Sequence, residues 1–229
     1  MPAIENEVTT WGRDSVLTRW LTDHHIKTRV FSSENQKPGE IILVGLNPPD
    51  DRDTLASFTA LVKHIAGGSK AVFLSPEVFR QGKNKVRYLP LANKGSLSDL
   101  YSWLYLKDEW AKHHPIFEGL PAGGLMDHQF YREIIPSNAW IGQDSPREAV
   151  AGAIKSSLDY SSGLMVSVND FGAGQFILNT LLIRENLGIH PASERLLRNM
   201  IRYATREHER PALKSGIDFE TTLKTIGYK

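Results

Sequence analysis

The chain contains no cysteine among its 229 residues. That excludes disulfides, thiolate metal sites and a cysteine nucleophile. It leaves the compartment open, since secreted proteins can also lack cysteine. No apolar run approaches the roughly 18 residues of a membrane-spanning helix. The opening Met1-Pro2-Ala3-Ile4-Glu5-Asn6-Glu7 is acidic and has no signal-peptide core, so the sequence reads as soluble. An excess of one charge is also missing. Lys and Arg number 27 against 26 Asp and Glu, for a formal net charge of +1. Composition therefore points to neither nucleic acid nor a membrane surface as a partner. Internal repeats and low-complexity segments are absent. The length allows one α/β domain with a sizeable core, or at most two small ones.

Taken in order, residues 14–26 open with a capping Asp14 and carry Val16, Leu17, Trp20 and Leu21 at helical spacing. Residues 1–13 are too polar for a buried strand. Thr28 to Ser32 is a short strand, and Pro38-Gly39 is a turn. Glu40 to Leu46 is a strongly apolar strand that ends in the loop Asn47-Pro48-Pro49-Asp50-Asp51. Asp53 caps a helix through about Ala66, which Gly67-Gly68 stops, and Ala71 to Leu74 is the next buried strand. Strand, helix and strand at these lengths predict a right-handed crossover between parallel neighbours. Ser75-Pro76-Glu77 then lies at a carboxyl strand end, where open α/β sheets place ligands.

Residues 80–95 are basic and turn-rich. Leu97 to Trp110 reads as an aromatic-rich helix or helix pair, suited to packing; a sugar-stacking platform would need exposed rings. Gly and Pro then mark an irregular stretch around His113-His114-Pro115-Ile116-Phe117-Glu118-Gly119-Leu120-Pro121. Tyr131 to Ile135, Ala139 to Ile141, Ala149 to Ser156 and Leu164 to Asn169 read as strands, with a turn at 159–163. Phe171-Gly172-Ala173-Gly174 turns the chain into a further apolar strand, and Gly-x-Gly alone is a weak ligand signal. A helix from His190 to Ala204 buries Leu196, Leu197, Met200 and Ile201, with Pro191 and Glu194 in its first turn. The tail from Arg206 to Pro211 reads as a linker, and Asp218 to Ile226 as a small helix.

Three segments carry a resemblance: His114 to Pro121, Phe171 to Asn179, and His190 to Ala204. Together they resemble class I glutamine amidotransferase-like domains of the ThuA and β-galactosidase-associated kind, over roughly residues 14–205. The resemblance implies a flavodoxin-like three-layer sandwich with a mainly parallel sheet and an antiparallel extension. Residues 1–205 would form that domain, and 206–229 a linker with a short helix packing on it. It also implies a place beside, or inside, a glycoside hydrolase, with carbohydrate or such a hydrolase domain as partner and a homo-oligomer as another option.

The catalytic device of that family is incomplete here. Active members place a cysteine in a glycine-flanked elbow, whereas this chain has Phe73-Leu74-Ser75-Pro76-Glu77, without glycine. They also carry a late His-Pro-Glu, whereas this chain has His190-Pro191-Ala192. The expectation is a non-catalytic domain serving assembly or sugar contact. The alternative is a small-molecule hydrolase with Ser75 as nucleophile, His114, His128 or His190 as base, and Glu77 or Asp127 as orienter. The loops 47–53, 75–96 and 113–130 are expected to converge on a pocket at the strand ends. Its ligand residues would be Asn47, Ser75, Glu77, His114, Asp127 and His128. No cofactor is implied. His113, His114, Asp127 and His128 do not have a metal-ligand spacing such as His-Glu-x-x-His, so no metal site is expected.

Overall fold

A computed structural model describes residues 3–35, 37, 39–50, 53–99, 108–156, 160–206 and 219–229. The chain runs through β1 (Val8–Trp11), α1 (Ser15–Asp23), β2 (Thr28–Val30), β3 (Ile41–Val44), α2 (Thr54–Ala66) and β4 (Lys70–Phe73). A 3-10 turn at Pro76–Phe79 leads to β5 (Ser96–Asp99) and β6 (Asp108–Ala111). A second turn at Pro115–Phe117 precedes β7 (Gly124–Leu125), α3 (His128–Tyr131) and β8 (Asn138–Ile141). β9 (Glu148–Ser156), β10 (Tyr160–Phe171), β11 (Gly174–Asn179), α4 (Pro191–Thr205) and α5 (Phe219–Thr225) complete the order.

Among the described residues these strands form one sheet, ordered β2-β1-β3-β4-β11-β10-β9-β6-β7, with β8 on β10 and β5 on β8. The five strands from β2 to β11 are parallel. Every pairing beyond β11 is antiparallel. The sheet is therefore mixed, not mainly parallel. Within its second half, β9, β10 and β11 follow one another through links too short for crossovers, such as the Ala173 hairpin, and short links make antiparallel neighbours. The expected crossover is present: β3 and β4 pair in parallel from Ile41↔Lys70 to Val44↔Phe73, and α2 joins them.

Side chains alternate across the parallel strands and make two cores. Ile41, Leu43, Val72 and Ile177 face α1 and α4. Ile42, Val44, Phe73 and Phe176 face α2, α5 and the segment after β4. The 171–174 hairpin lies against the end of α2. Gly172 has φ +61°, and a Cβ there would stand 2.5 Å from Ala66 Cα. The turn can approach the helix this closely only without side chains.

Three expectations need correction. Residues 8–11 do form a buried strand, between β2 and β3, because the Thr9 hydroxyl is satisfied by the Glu40 carboxylate. The stretch from Leu97 to Trp110 begins and ends in strands. Leu97 is buried between exposed Ser96 and Asp99 on β5, while Trp110 lies on β6; residues 100–107 fall outside the described residues. Tyr131 to Ile135 is the end of α3 and a turn. Asp127 caps α3 through the Gln129 and Phe130 amides, and Tyr131 and Ile134, three apart, are both fully buried. Their spacing is helical and does not fit a two-residue strand period. The expected 207–211 linker, the start of the 159–163 turn and Pro38 also lie outside the described residues. No helix among the described residues is long and apolar enough to cross a membrane.

Candidate functional site

The order β2-β1-β3 reverses direction at β1, and carboxyl ends beside such a reversal form a ligand crevice in open α/β sheets. Here Leu46, Asn47, Pro48, Thr54, Glu77, Val78 and Arg80 line a cavity of about 460 Å³. Asn47 is held by a main-chain bridge to Arg13, with Arg13 N donating to Asn47 O at 2.8 Å. Glu77 accepts two bonds from Arg80, at 2.7 and 3.0 Å, and this bond holds the Arg80 guanidinium above its ordinary pKa. Of the ligand residues expected from sequence, Asn47 and Glu77 line this cleft.

Beneath it lies a buried carboxylate that sequence reading treated only as a cap. Asp14 Oδ1 accepts from the Val16 and Leu17 amides, both at 3.1 Å. Its other oxygen accepts from Leu46 N at 3.2 Å and Arg184 Nε at 2.5 Å. Burial works to lower the Arg184 pKa, but Asp14 more than offsets that, and the guanidinium stays firmly charged. One carboxylate thus ties α1, the end of β3 and the chain after β11 together below the cleft.

Ser75 is buried at 6% exposure and caps the Pro76–Phe79 turn by accepting the Glu77 amide at 3.3 Å. Among the described residues no histidine ring is hydrogen-bonded to its hydroxyl. His190 caps α4, its Nδ1 accepting from Ala192 N at 3.2 Å. Asp127 accepts from Gln129 N and Phe130 N, at 2.9 and 3.3 Å, and His128 begins the helix it caps. The Phe130 and His190 rings meet at 6.3 Å, so this turn lies beside the start of α4.

His114 sits at the opposite end of the sheet. Its Nδ1 accepts from Ile116 N at 3.2 Å, so the ring proton is on Nε2, which donates to Glu148 Oε2 at 2.8 Å. Glu148 Oε1 accepts from Arg147 Nε at 2.9 Å and from Tyr203 OH at 2.6 Å. Arg147 also donates to Asp170 at 2.9 Å and to Gln175 at 3.0 Å. Gln175 pairs with Lys70, the first residue of β4, so this network lies at the amino ends. Ser75 is five residues beyond Lys70, roughly 16 Å along the strand direction. His114 and Ser75 are therefore not brought together.

Electrostatics in the network follow from its contacts. Burial lowers the His114 pKa further than the Glu148 bond raises it, and the ring is neutral. Burial alone would raise Glu148, but Tyr203, His114 and Arg147 outweigh it and hold the carboxyl below its ordinary value. Burial, then the carboxylate, push the Tyr203 phenol up to about 12. Sequence reading missed Arg147, Glu148 and Tyr203. Arg147 precedes and Glu148 begins β9, and Tyr203 lies on a helix about 55 residues away, so no local pattern joins them. Among the described residues no group of three histidine, aspartate or glutamate side chains is arranged to hold a metal ion.

No family model matches this sequence, and no curated protein does. Solved structures similar to it include two β-galactosidases. The β-galactosidase of Bacillus circulans sp. alkalophilus is 12% identical with a TM-score of 0.40, over 82% of this chain and 26% of that enzyme. The β-galactosidase of Rahnella sp. R3 is 13% identical with a TM-score of 0.43, over 87% of this chain and 28% of that enzyme. The chain spans about a quarter of the length of either enzyme.

Proposed function

We propose that this chain is a non-catalytic domain of the amidotransferase-like type, serving assembly or sugar contact in a carbohydrate-degrading system beside a glycoside hydrolase. The observation that carries the non-catalytic part is where the acceptor atoms point. Ser75 Oγ, His114 Nδ1 and His190 Nδ1, the expected nucleophile and two of its bases, each accept a backbone amide two residues on. A base must keep a lone pair for the proton it takes, within reach of the nucleophile. Nδ1 of these rings is occupied, and Nε2 of His114 faces Glu148.

The amidotransferase-like part is supported by the three sequence segments and by the parallel order β2-β1-β3-β4-β11. That order matches the flavodoxin-like arrangement 2-1-3-4-5. On this reading residues 1–205 form the body, and the 206–229 tail rides on it through Leu223, Ile226 and Tyr228, which are buried in the α2-side core. The strand-end cleft binds a small polar ligand without transforming it.

The test is to offer the purified chain glutamine, ester and aryl-glycoside substrates, with Ser75→Ala run in parallel. No turnover above buffer is expected from either protein. Turnover that disappears in the variant would overturn the proposal and establish the Ser75 hydrolase in its place.

A further inference from the structure

The antiparallel half of the sheet holds a second cavity, on the aromatic stretch that the proposed function leaves unused. In the pairing of β6 with β9, Trp110 stands opposite Gly152. A Cβ on Gly152 would come within 2.6 Å of Trp110 Cζ2 and 2.5 Å of Gly163 O. The indole thus rests on bare backbone, which no other residue at 152 would allow. Half-buried Trp110, the Gly142–Pro146 turn and Ser162 to Leu164 line a depression of about 250 Å³.

The rim is polar and rigid. Gln143, Asp144, Ser145 and Ser162 surround the indole. Asp144 Oδ2 accepts from Asn93 N and its own amide donates to Asn93 O, both at 3.0 Å. Asn93 Nδ2 donates to Gly142 O at 2.8 Å. The turn is therefore held in place before any ligand arrives, which lowers the ordering cost of binding. The Lys112 ammonium lies over the Trp110 ring, 5.9 Å from its centroid, and adds a donor at the indole.

A flat apolar ring, a glycine floor and a rim of hydroxyl, amide and carboxylate groups match a neutral ligand with one apolar face and many hydroxyls. We infer that Trp110 and the Gly142–Pro146 turn form a saccharide-binding slot, one sugar ring stacking on the indole while its hydroxyls bond to the rim. The ligand class rests on the carbohydrate role proposed above; the location does not.

The experiment is isothermal calorimetry on the full chain with lactose, cellobiose, xylobiose and mannobiose as probes. Trp110→Ala removes the platform, and Ser162→Trp fills the slot from an exposed position, so the second variant tests the site without disturbing the core. Arg80→Ala alters the strand-end cleft instead. At least one disaccharide is expected to bind. Trp110→Ala and Ser162→Trp should each weaken it roughly tenfold or more, the loss of about 60 Å² of apolar contact, while Arg80→Ala leaves it unchanged. Binding of none of the four probes overturns the slot, as does binding indifferent to both slot variants. Binding lost in Arg80→Ala alone would move the sugar to the strand-end cleft: the slot falls and the carbohydrate role stands. The turnover assays with Ser75→Ala test the non-catalytic reading separately.

Discussion

Replacing Glu148 by glutamine tests the amino-end network most sharply, because the new side chain has the same shape and still fails to fit. The carboxylate accepts from His114 Nε2, Arg147 Nε and Tyr203 OH at 2.8, 2.9 and 2.6 Å. All three partners are donors, and His114 cannot change tautomer while its Nδ1 accepts from Ile116 N. An amide offers one acceptor oxygen and one NH₂ group. Turning the oxygen toward Arg147 and Tyr203 sets the NH₂ against the His114 N–H; the other orientation sets it against the Arg147 N–H and costs the Tyr203 hydroxyl its acceptor. A hydrogen bond to a charged group contributes about 1.5–3 kcal/mol net, and an unpaired donor adds to the loss. The Glu148 side chain is 32% exposed, so water replaces part of what is removed. The expected loss is about 2–3 kcal/mol. For a chain of this size each kcal/mol moves the melting temperature by about 2–4 °C, so the midpoint should fall by about 4–12 °C. Urea unfolding at pH 7.5 followed by tryptophan fluorescence measures it. The pH dependence gives a second reading. His114 and Glu148 both have folded pKa values below their ordinary 6.5 and 4.5. Each contributes stability that is fully present above its unfolded pKa and lost as pH falls through its folded pKa. The wild type should weaken below about pH 6.5, and more steeply below about pH 4.5. The variant should keep the first phase and lose the Glu148 part of the second. A loss under about 0.5 kcal/mol at pH 7.5, or an unchanged acid limb, would refute the reasoning.

Two further outcomes are expected. Leu197→Ala, at a fully enclosed position on α4, should cost about 2–5 kcal/mol in urea unfolding; a change near zero would mean that α4 packs in another register. Gly172→Ala should lower stability by at least about 1 kcal/mol, since it asks a side chain to hold φ +61° with its Cβ 2.5 Å from Ala66 Cα. A thermal melt equal to the wild type's would show that the hairpin does not lie on α2.

Much of the fold was legible because its signals are local. Asp14 and Asp53 announce α1 and α2, and both cap as their position suggests. The apolar runs at Ile41–Val44 and Lys70–Phe73, separated by one amphipathic helix, sufficed to give a parallel pair. Two of the three corrected expectations share one cause. β1 contains Thr9 and Thr10, and its burial depends on a carboxylate 31 residues away that takes the Thr9 hydroxyl. No window around residues 8–11 contains that partner. The aromatic run before Trp110 carries enough apolar residues for a helix, yet its ends are claimed by β8 and β9, whose positions are set by long-range pairing.

The chemistry-bearing residues of the sequence also have a local, capping role. Ser75, His114 and His190 drew notice as chemistry-bearing residues, and each immediately precedes a proline. A residue before proline is held extended, and proline suits the first position of a helical turn, so X-Pro with a short polar X is an N-cap signal. All three residues cap the turn that their proline begins. Capping therefore accounts for Ser75, His114 and His190 together, and Asn47 and Glu77 remain at the strand ends. The X-Pro signal does not reveal the Arg147–Glu148–Tyr203 network or the slot at Trp110. Those exist only where β9 and α4, or β6 and β9, come side by side, and the slot exists because residue 152 has no side chain to fill it.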